Sequence, residues 1–464
     1  MRLFQLAILL LATFGAASPV ELRKRASQPT GLSSGSALRQ GQVDGIGKLL
    51  NQSATKSWEI GTHLEAVLEL NYPSLSPFST SSSSFASPTP SVSPFPTEII
   101  SLVAPVLSSQ PSGQLQLIQD GSSADPASVG PFVILANLTL NKGGNVGGKN
   151  QQQLEEVAAG QLKALLEQTP RSSDGAISHR TGDAELWSDF VYMAPPFIAL
   201  YGLATQNTTL LQTAYDQCRL YRSHLQDPRT KLWHHIENPN TSGMKDPGLW
   251  ATGNGWAAAG MLRVLATIQN SGNDSLANEL KRQSQDLAAW VKEIVDAAWG
   301  MPQSNGLLHN YLNETSTFAD ASSTALVAAS TYRLAQLTSR FDPLSSSAPS
   351  SSSLSSAESA YKTLTSSSHL SSSGVLAPVV NPYSYGEQMS NVKQDGSGNV
   401  SPEGEAFVLL MESARRDYLA NGGKVSSSGS GGGSNGAGST KAAGSRTSRT
   451  VVALVVAASL MMLA

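Results

Sequence analysis

The chain has 464 residues, 40% of them apolar and 14% charged, with 31 basic and 34 acidic side chains for a formal net charge of −3. This balance offers no basic surface for nucleic acid or for a long polyanion. The single cysteine, Cys218, excludes an intrachain disulfide. A secreted form must therefore be held by a large apolar core, which about 400 residues can supply.

Residues 1–17, MRLFQLAILLLATFGAA, carry one Arg, an apolar run and a small-residue end. That is the pattern of a secretory signal, and it is too short to span a bilayer. The LRKR at 22–25 suits a dibasic processing protease, which makes 18–25 a propeptide and Ala26 the first mature residue. From there strand signals are almost absent. Apolar residues recur at helical spacing near 37–50, 57–71, 97–108, 129–141, 151–168, 189–204, 208–225, 254–269, 275–298, 320–337, 355–368 and 403–419. Ser/Pro-rich stretches at 74–96 and 343–353 interrupt this pattern and read as exposed loops or O-glycosylated inserts.

Several predicted helices are joined by a similar loop: DGAISH ending at His179, TKLWHH at His235, NGLLH at His309 and, without a His, SGVLAP at 373–378. A turn, a short extended apolar step and an inward polar residue recur, each followed by a helix, which is a helix-hairpin repeat. Twelve helices in six hairpins close into an all-α (α/α)6 barrel spanning 26–425. Its mouth is built from the loops before the inner helices, where His179, His234, His235 and His309 fall. Asp189, in LWSDFVYMAPPF, sits where an apolar inner helix begins, with Trp187 beside it and Trp233, Trp250 and Trp256 in or beside the next mouth loop. An acid there is either a helix cap or a proton donor. Flat aromatic faces suit sugar rings, although each tryptophan alone also suits core packing.

The C-terminal residues complete a surface-anchoring pattern. Residues 426–450 are a Ser/Gly-rich linker, and the chain closes on the 14-residue hydrophobic end VVALVVAASLMMLA at 451–464. Small residues, a polar spacer and a short apolar tail predict attachment of a GPI lipid, first at Asn435 and second at Gly438. Loss of 1–25 and of 436–464 each removes a net +3, so the mature chain is near −9. Sequons begin at Asn51, Asn137, Asn207, Asn240, Asn273, Asn313 and Asn399 and are candidate glycan acceptors.

The ordered set PRSSDGAISHR, LWSDFVYMAPPFIALYG, KLWHHIE and GNGWAAAGMLRVL resembles glycoside hydrolase families 88 and 105, the unsaturated uronyl and rhamnogalacturonyl hydrolases, and family 105 most, here in a fungal GPI-anchored form. The resemblance covers roughly residues 57–420. It implies an (α/α)6 barrel acting on a Δ4,5-unsaturated uronic acid at the non-reducing end of a short oligosaccharide, with no metal or redox cofactor. By the same resemblance Asp189 matches the acid/base Asp, and Asp125 the second Asp, with Asp120 as its fallback. His235, His179, Trp187, Trp256, Asn254 and Trp233 are then substrate-binding candidates. A carboxyl among aromatics is expected to have a raised pKa, as a proton donor requires. The chain departs from the family at Thr252, where the motif carries Arg, and at Glu237, which is expected to be exposed. A monomer with an oligosaccharide substrate is expected, touching membrane only through a lipid. Two alternatives stay open. One is a conventional two-carboxylate wall mannanase, against which counts the lack of any adjacent Asp-Asp pair. The other is a non-catalytic, wall-anchored sugar-binding protein.

Overall fold

A computed structural model describes residues 31–33, 35–80, 96–239 and 244–425. The signal and propeptide, the 426–450 linker with its proposed attachment sites Asn435 and Gly438, the 451–464 tail, Asn240 and most of the first Ser/Pro stretch lie outside the described residues. Helices alternate between an outer and an inner ring. The outer ring holds α1 (Gln40–Ser53), α3 (Thr97–Ser109), α5 (Gln151–Lys163), α8 (Thr208–Leu225), the pair α10 (Asp274–Glu279) and α11 (Lys281–Gly300), and α13 (Ser351–Leu364). The inner ring holds α2 (Ser57–Asn71), α4 (Gly130–Thr139), the pair α6 (Phe190–Met193) and α7 (Pro195–Ala204), α9 (Ala251–Gln269), α12 (Ala321–Arg340) and α14 (Pro402–Ala420). Inner neighbours pack in order from α4 to α7, α9, α12 and α14. The ring closes through α2, which packs on α14 and on the 3₁₀ turn Asp125–Val129 before α4. This is the (α/α)6 barrel.

The two rings differ in sequence because they differ in surroundings. In α9, 18 of 19 residues are buried, and its small, apolar sequence fits a helix enclosed all round. Outer α11 buries Leu287, Val291, Ile294, Val295 and Ala298 on one stripe and leaves its charged side to solvent. Glycines in α9 allow a close approach. A Cβ at Gly260 would lie 2.0 Å from the Val191 carbonyl oxygen, and one at Gly253 would lie 2.3 Å from Ser188 Oγ. The segment 188–192 can therefore lie directly on α9. Pro195 and Pro196, which lack the N–H that a continuing helix needs, separate α6 from α7 at Ala194.

The C-terminal halves of the inner helices are tied by buried charge. Glu69 of α2 binds Arg263 Nη2 of α9 at 2.6 Å and Arg333 Nη2 of α12 at 2.7 Å. Arg416 of α14 donates to the carbonyls of Glu69 and Leu70, both at 2.7 Å.

The described parts of the two Ser/Pro stretches differ from simple exposed loops: 75–79 is buried, and 343–353, although largely exposed, is helical. Leu75, Ser76, Pro77, Phe78 and Ser79 are buried. The Phe78 ring lies 4.4 Å beneath the Arg333 guanidinium, and its carbonyl accepts from Gln336, so apolar and cationic partners in the barrel pull this end of the stretch inward. The second stretch forms a 3₁₀ turn at Asp342–Ser347 and the first turn of α13, where Ser350 accepts from the Ser353 N–H at 3.1 Å. Ser350 is thus a capping residue. Three two-stranded pairs lie in the loops: β1 (Leu186–Trp187) with β2 (Ile236–Glu237), β3 (Gln303–Ser304) with β4 (Leu307–Leu308), and β5 (Val380–Asn381) with β6 (Ser384–Gln388).

Candidate active site

The chain segments entering the inner helices surround a cavity of about 170 Å³ whose lining includes Asp125, Asp189, Glu403, His179, Arg180 and Trp187. Trp58, Met193, Trp250, Trp256 and Pro382 complete its walls. A larger cavity of about 520 Å³ between α1, α2 and α3 has His63 but no tryptophan or tyrosine in its lining. Carboxyls and indoles gather together at the mouth.

Local pairing explains the convergence. β1 and β2 are antiparallel, with Trp187 opposite Ile236, and the Ser188 N–H donates to the His235 carbonyl at 2.9 Å. This register sets Asp189 beside His235, whose Nε2 lies 3.5 Å from Asp189 Oδ2. On the other side of the cavity the 122–125 loop is joined to 178–179. Ser123 N–H and Ser122 Oγ both donate to the His179 carbonyl, at 2.9 and 3.0 Å. Asp125 Oδ1 then lies 3.4 Å from His179 Nε2, and the Trp187 ring stacks on His179 at 5.1 Å. Trp256 packs against Tyr192 at 4.3 Å and Phe407 at 4.7 Å, offering the cavity part of its indole.

Asp189 stands at the N-cap position of α6, yet its carboxylate makes no capping hydrogen bond. It accepts from Ser188 Oγ at 3.2 Å and faces His235. The cap explanation therefore fails on geometry.

The protonation states differ from expectation. Burial alone would raise the Asp189 pKa, but the hydrogen bond and charge of His235 outweigh burial and hold Asp189 below the usual carboxylate range. Burial works against a charged His235, yet Asp189 and Asp246 together hold the imidazole above its ordinary value. Asp125 is the carboxyl pushed well above its range, by burial and then by the charges of Asp120 and Asp189. Glu403 is pushed well above as well, by burial and by Glu59, Asp189 and Asp320. Burial lowers His179 to about 4, so it is neutral near pH 7. The expected raised value belongs to Asp125, because His235 outweighs burial at Asp189 whereas at Asp125 burial and the charges of Asp120 and Asp189 outweigh Arg180.

Other sequence-predicted residues fall elsewhere. Asn254 Oδ1 accepts from the Trp233 N–H at 2.8 Å, and its Nδ2 donates to the Trp233 and Trp250 carbonyls, both at 2.9 Å. That amide braces the loop before α9 and has no group left for a sugar. Trp233 is fully buried in the core. His234 bonds the Pro247 carbonyl and His309 the Thr317 carbonyl. Asp120 is exposed, accepting from Ser57 Oγ and the Ser122 N–H. Thr252 is buried in α9, and Glu237 pairs with Lys245 at 3.0 Å on the surface. Among the sequons, Asn207 and Asn273 cap α8 and α10, while Asn137 and Asn399 already use their amide nitrogens on Glu155 and the Ser390 carbonyl.

Four contributors went unread in the sequence. Asp246 Oδ2 bonds His235 Nδ1 at 3.0 Å and accepts from Tyr311 Oη at 2.7 Å, orienting the imidazole. Tyr385 covers His235, ring to ring at 4.5 Å. Arg180 directly follows His179 and is the basic side chain in the cavity lining. Glu403 opens α14 and carries the same signal as Asp189: an acid where an apolar inner helix begins.

Buried carboxyls and indoles thus line the mouth of a six-hairpin barrel. Residues 148–396 match Glycosyl Hydrolase Family 88, and the chain belongs to that family. It is 25% identical over 179 residues to the unsaturated rhamnogalacturonyl hydrolase YesR of Bacillus subtilis (strain 168), an alignment covering 37% of this chain. The match spans 49%, about half, of that relative's length. Among solved structures, a possible family-105 member from Salmonella enterica serovar Paratyphi A superposes with a TM-score of 0.58 at 16% identity, over 87% of this chain and 99% of that one. A family 88 hydrolase from Bacteroides vulgatus superposes with a TM-score of 0.52 at 13% identity, over 83% of this chain and 100% of that one.

Proposed function

We propose that this glycoside hydrolase acts on oligosaccharides ending in a Δ4,5-unsaturated uronic acid. The observation that carries the reading is the charge of the cavity. Burial pushes the carboxyls of Asp125 and Glu403 well above their usual range and Asp189 is paired with His235, which leaves Arg180 as the guanidinium beside Asp125 and His179. A cavity with this balance favours an anionic ring, and it is of a size for one terminal sugar rather than a chain.

In the resting state the proton sits on His235, held there by Asp189 and Asp246. A sugar ring entering the cavity displaces water, which disfavours the separated charges and drives that proton onto Asp189. Asp189 protonates C4 of the C4=C5 double bond, leaving positive charge at C5 shared with the ring oxygen. Water adds at C5 and returns its proton to Asp189. The resulting hemiketal opens to a ketone, and C1 expels the leaving sugar as an alcohol to become an aldehyde. One water is consumed, and Asp189 ends as it began the chemical step. Asp125, whose pKa burial raises, hydrogen-bonds a sugar hydroxyl, and Trp187 and Trp256 face the ring.

The test is loss of the ultraviolet absorbance of the conjugated double bond when the protein meets unsaturated galacturonyl and glucuronyl disaccharides. A flat trace with all of them overturns the reading, and release of plain mannose from α-1,6-mannan would replace it with a conventional glycosidase. The chain ends support a secreted, GPI-anchored form. Release of the protein from cells by a phosphatidylinositol-specific phospholipase would bear this out, and recovery of residues 451–464 in the mature protein would refute it.

A further inference from the structure

Two large apolar side chains stand out as exposed among the described residues, Tyr383 at 60% and Met244 at 49%. A scattered exposed apolar residue needs no explanation, whereas a group at the rim of a cavity marks a ligand surface. Both of these border the mouth. Tyr383 follows Pro382 and meets Trp58 edge-on, with centroids 5.9 Å apart and planes at 64°; Pro382 and Trp58 both line the cavity. Met244 Sδ accepts from Tyr385 Oη at 3.6 Å, and Tyr385 covers His235.

Tyr383 is also held in place. Its hydroxyl donates to Glu59 Oε1 at 2.9 Å, and the other oxygen of Glu59 accepts from the Thr55 and Lys56 amides at the start of α2. Its own N–H donates to Asn381 Oδ1 at 3.1 Å. The β5–β6 hairpin that carries it is fixed to the barrel, because Val380 N–H donates to Asp320 Oδ1, the cap of α12, at 3.0 Å. A phenol with its hydroxyl and backbone already bonded, and with an edge contact on Trp58, presents an open ring face at low conformational cost. Such a face suits the C–H face of a sugar ring.

We propose that Tyr383 is the stacking platform for the sugar that follows the terminal ring, the one released in the reaction, and so selects the leaving group. The inference rests on the uronyl reading for the identity of the terminal ring, but not for the platform itself. The experiment compares an unsaturated uronyl disaccharide with the same unsaturated uronic acid carrying only a methyl aglycone. Tyr383→Ala should lower kcat/KM about threefold to tenfold on the disaccharide and leave the methyl glycoside unchanged. Tyr383→Phe, which keeps the ring and loses only the Glu59 bond, should retain disaccharide activity. Equal losses on both substrates, or no loss on either, would overturn the platform. If wild-type protein consumes neither substrate, the uronyl reading fails and calorimetric titration with α-1,6-mannobiose decides the platform separately. There Tyr383→Ala must weaken binding while Tyr383→Phe does not, and any other result overturns it.

Discussion

Replacing Asp189 by Asn separates a catalytic carboxylate from a structural one. The side chain contributes no helix cap, so the cap energy of roughly 1 kcal/mol is not at stake. What it makes is a hydrogen bond from Ser188 Oγ and the pairing with His235, and an Asn oxygen can accept in both places. His235 keeps Asp246 at 3.0 Å, so no charge is stranded. The loss is the charge-assisted part of one bond, about 1 kcal/mol, which in a barrel of this size moves the melting temperature by roughly 1–2 °C. Activity should fall about 10²-fold or more, the scale for removing a general acid, because an amide can neither take the proton from His235 nor return it. Thermal melts and steady-state rates on an unsaturated disaccharide, measured side by side, read both quantities. Full activity in the variant, or a melting temperature lowered by ten degrees or more at about 1 kcal/mol per degree or two, would refute the argument and return Asp189 to a structural role.

Three further outcomes are expected. Asp246→Asn keeps the hydrogen-bonding shape but removes a charge that raises the His235 pKa; activity, which requires protonated His235 and is lost as pH rises through its raised value, should show an alkaline limb moved to lower pH, and an unmoved limb would count against His235 as the proton reserve. Arg180→Ala should raise KM for unsaturated uronyl substrates about tenfold or more, the scale of a hydrogen bond to a charged group, with a smaller effect on kcat; an unchanged KM would exclude Arg180 from anion binding. Glu405, whose Oε1 accepts from the Leu376 N–H, is raised by burial from 4.5 to about 8. The stability it contributes is present below 4.5 and lost as pH rises through about 8, at up to about 1.4 kcal/mol per pH unit. Glu405→Gln should flatten this slope in denaturant titrations at successive pH values, and an unaltered slope would contradict the assignment.

The barrel is legible because the inner helices must be apolar or small on every side. ATGNGWAAAGMLRVLATIQ fits nothing else, and its glycines mark where segment 188–192 rests. Serine-rich composition was a poor guide, since the same residue that solvates a linker also caps a helix, as Ser350 does. Convergence of Asp125, Asp189, His179 and His235 follows from their places in the repeat. The order of the acids does not, because it turns on a 3.5 Å contact between Asp189 and His235 that no spacing states. Asp246 was hidden for a similar reason: it reaches His235 across a loop, eleven residues on, with no periodic signal. Asn254 was misread because a polar residue in a motif looks alike whether it faces a cavity or braces backbone.

The buried charge cluster of the inner ring has a consequence for how the chain is made. Arg416 reaches the carbonyl of Leu70 across 346 residues, and Arg333 joins Glu69 to Asp417. An emerging chain has α2 early, but the partners of its buried acid arrive only with α9 and α12, and the arginine that binds its last carbonyls only with α14. Contacts this distant in sequence form late and slowly, so the first hairpins wait with apolar sides exposed until synthesis is nearly finished. A protein cut short before Pro402 is therefore expected to appear in the insoluble fraction of a solubility assay rather than as a smaller soluble barrel, and the last helix acts as the release step for the whole fold.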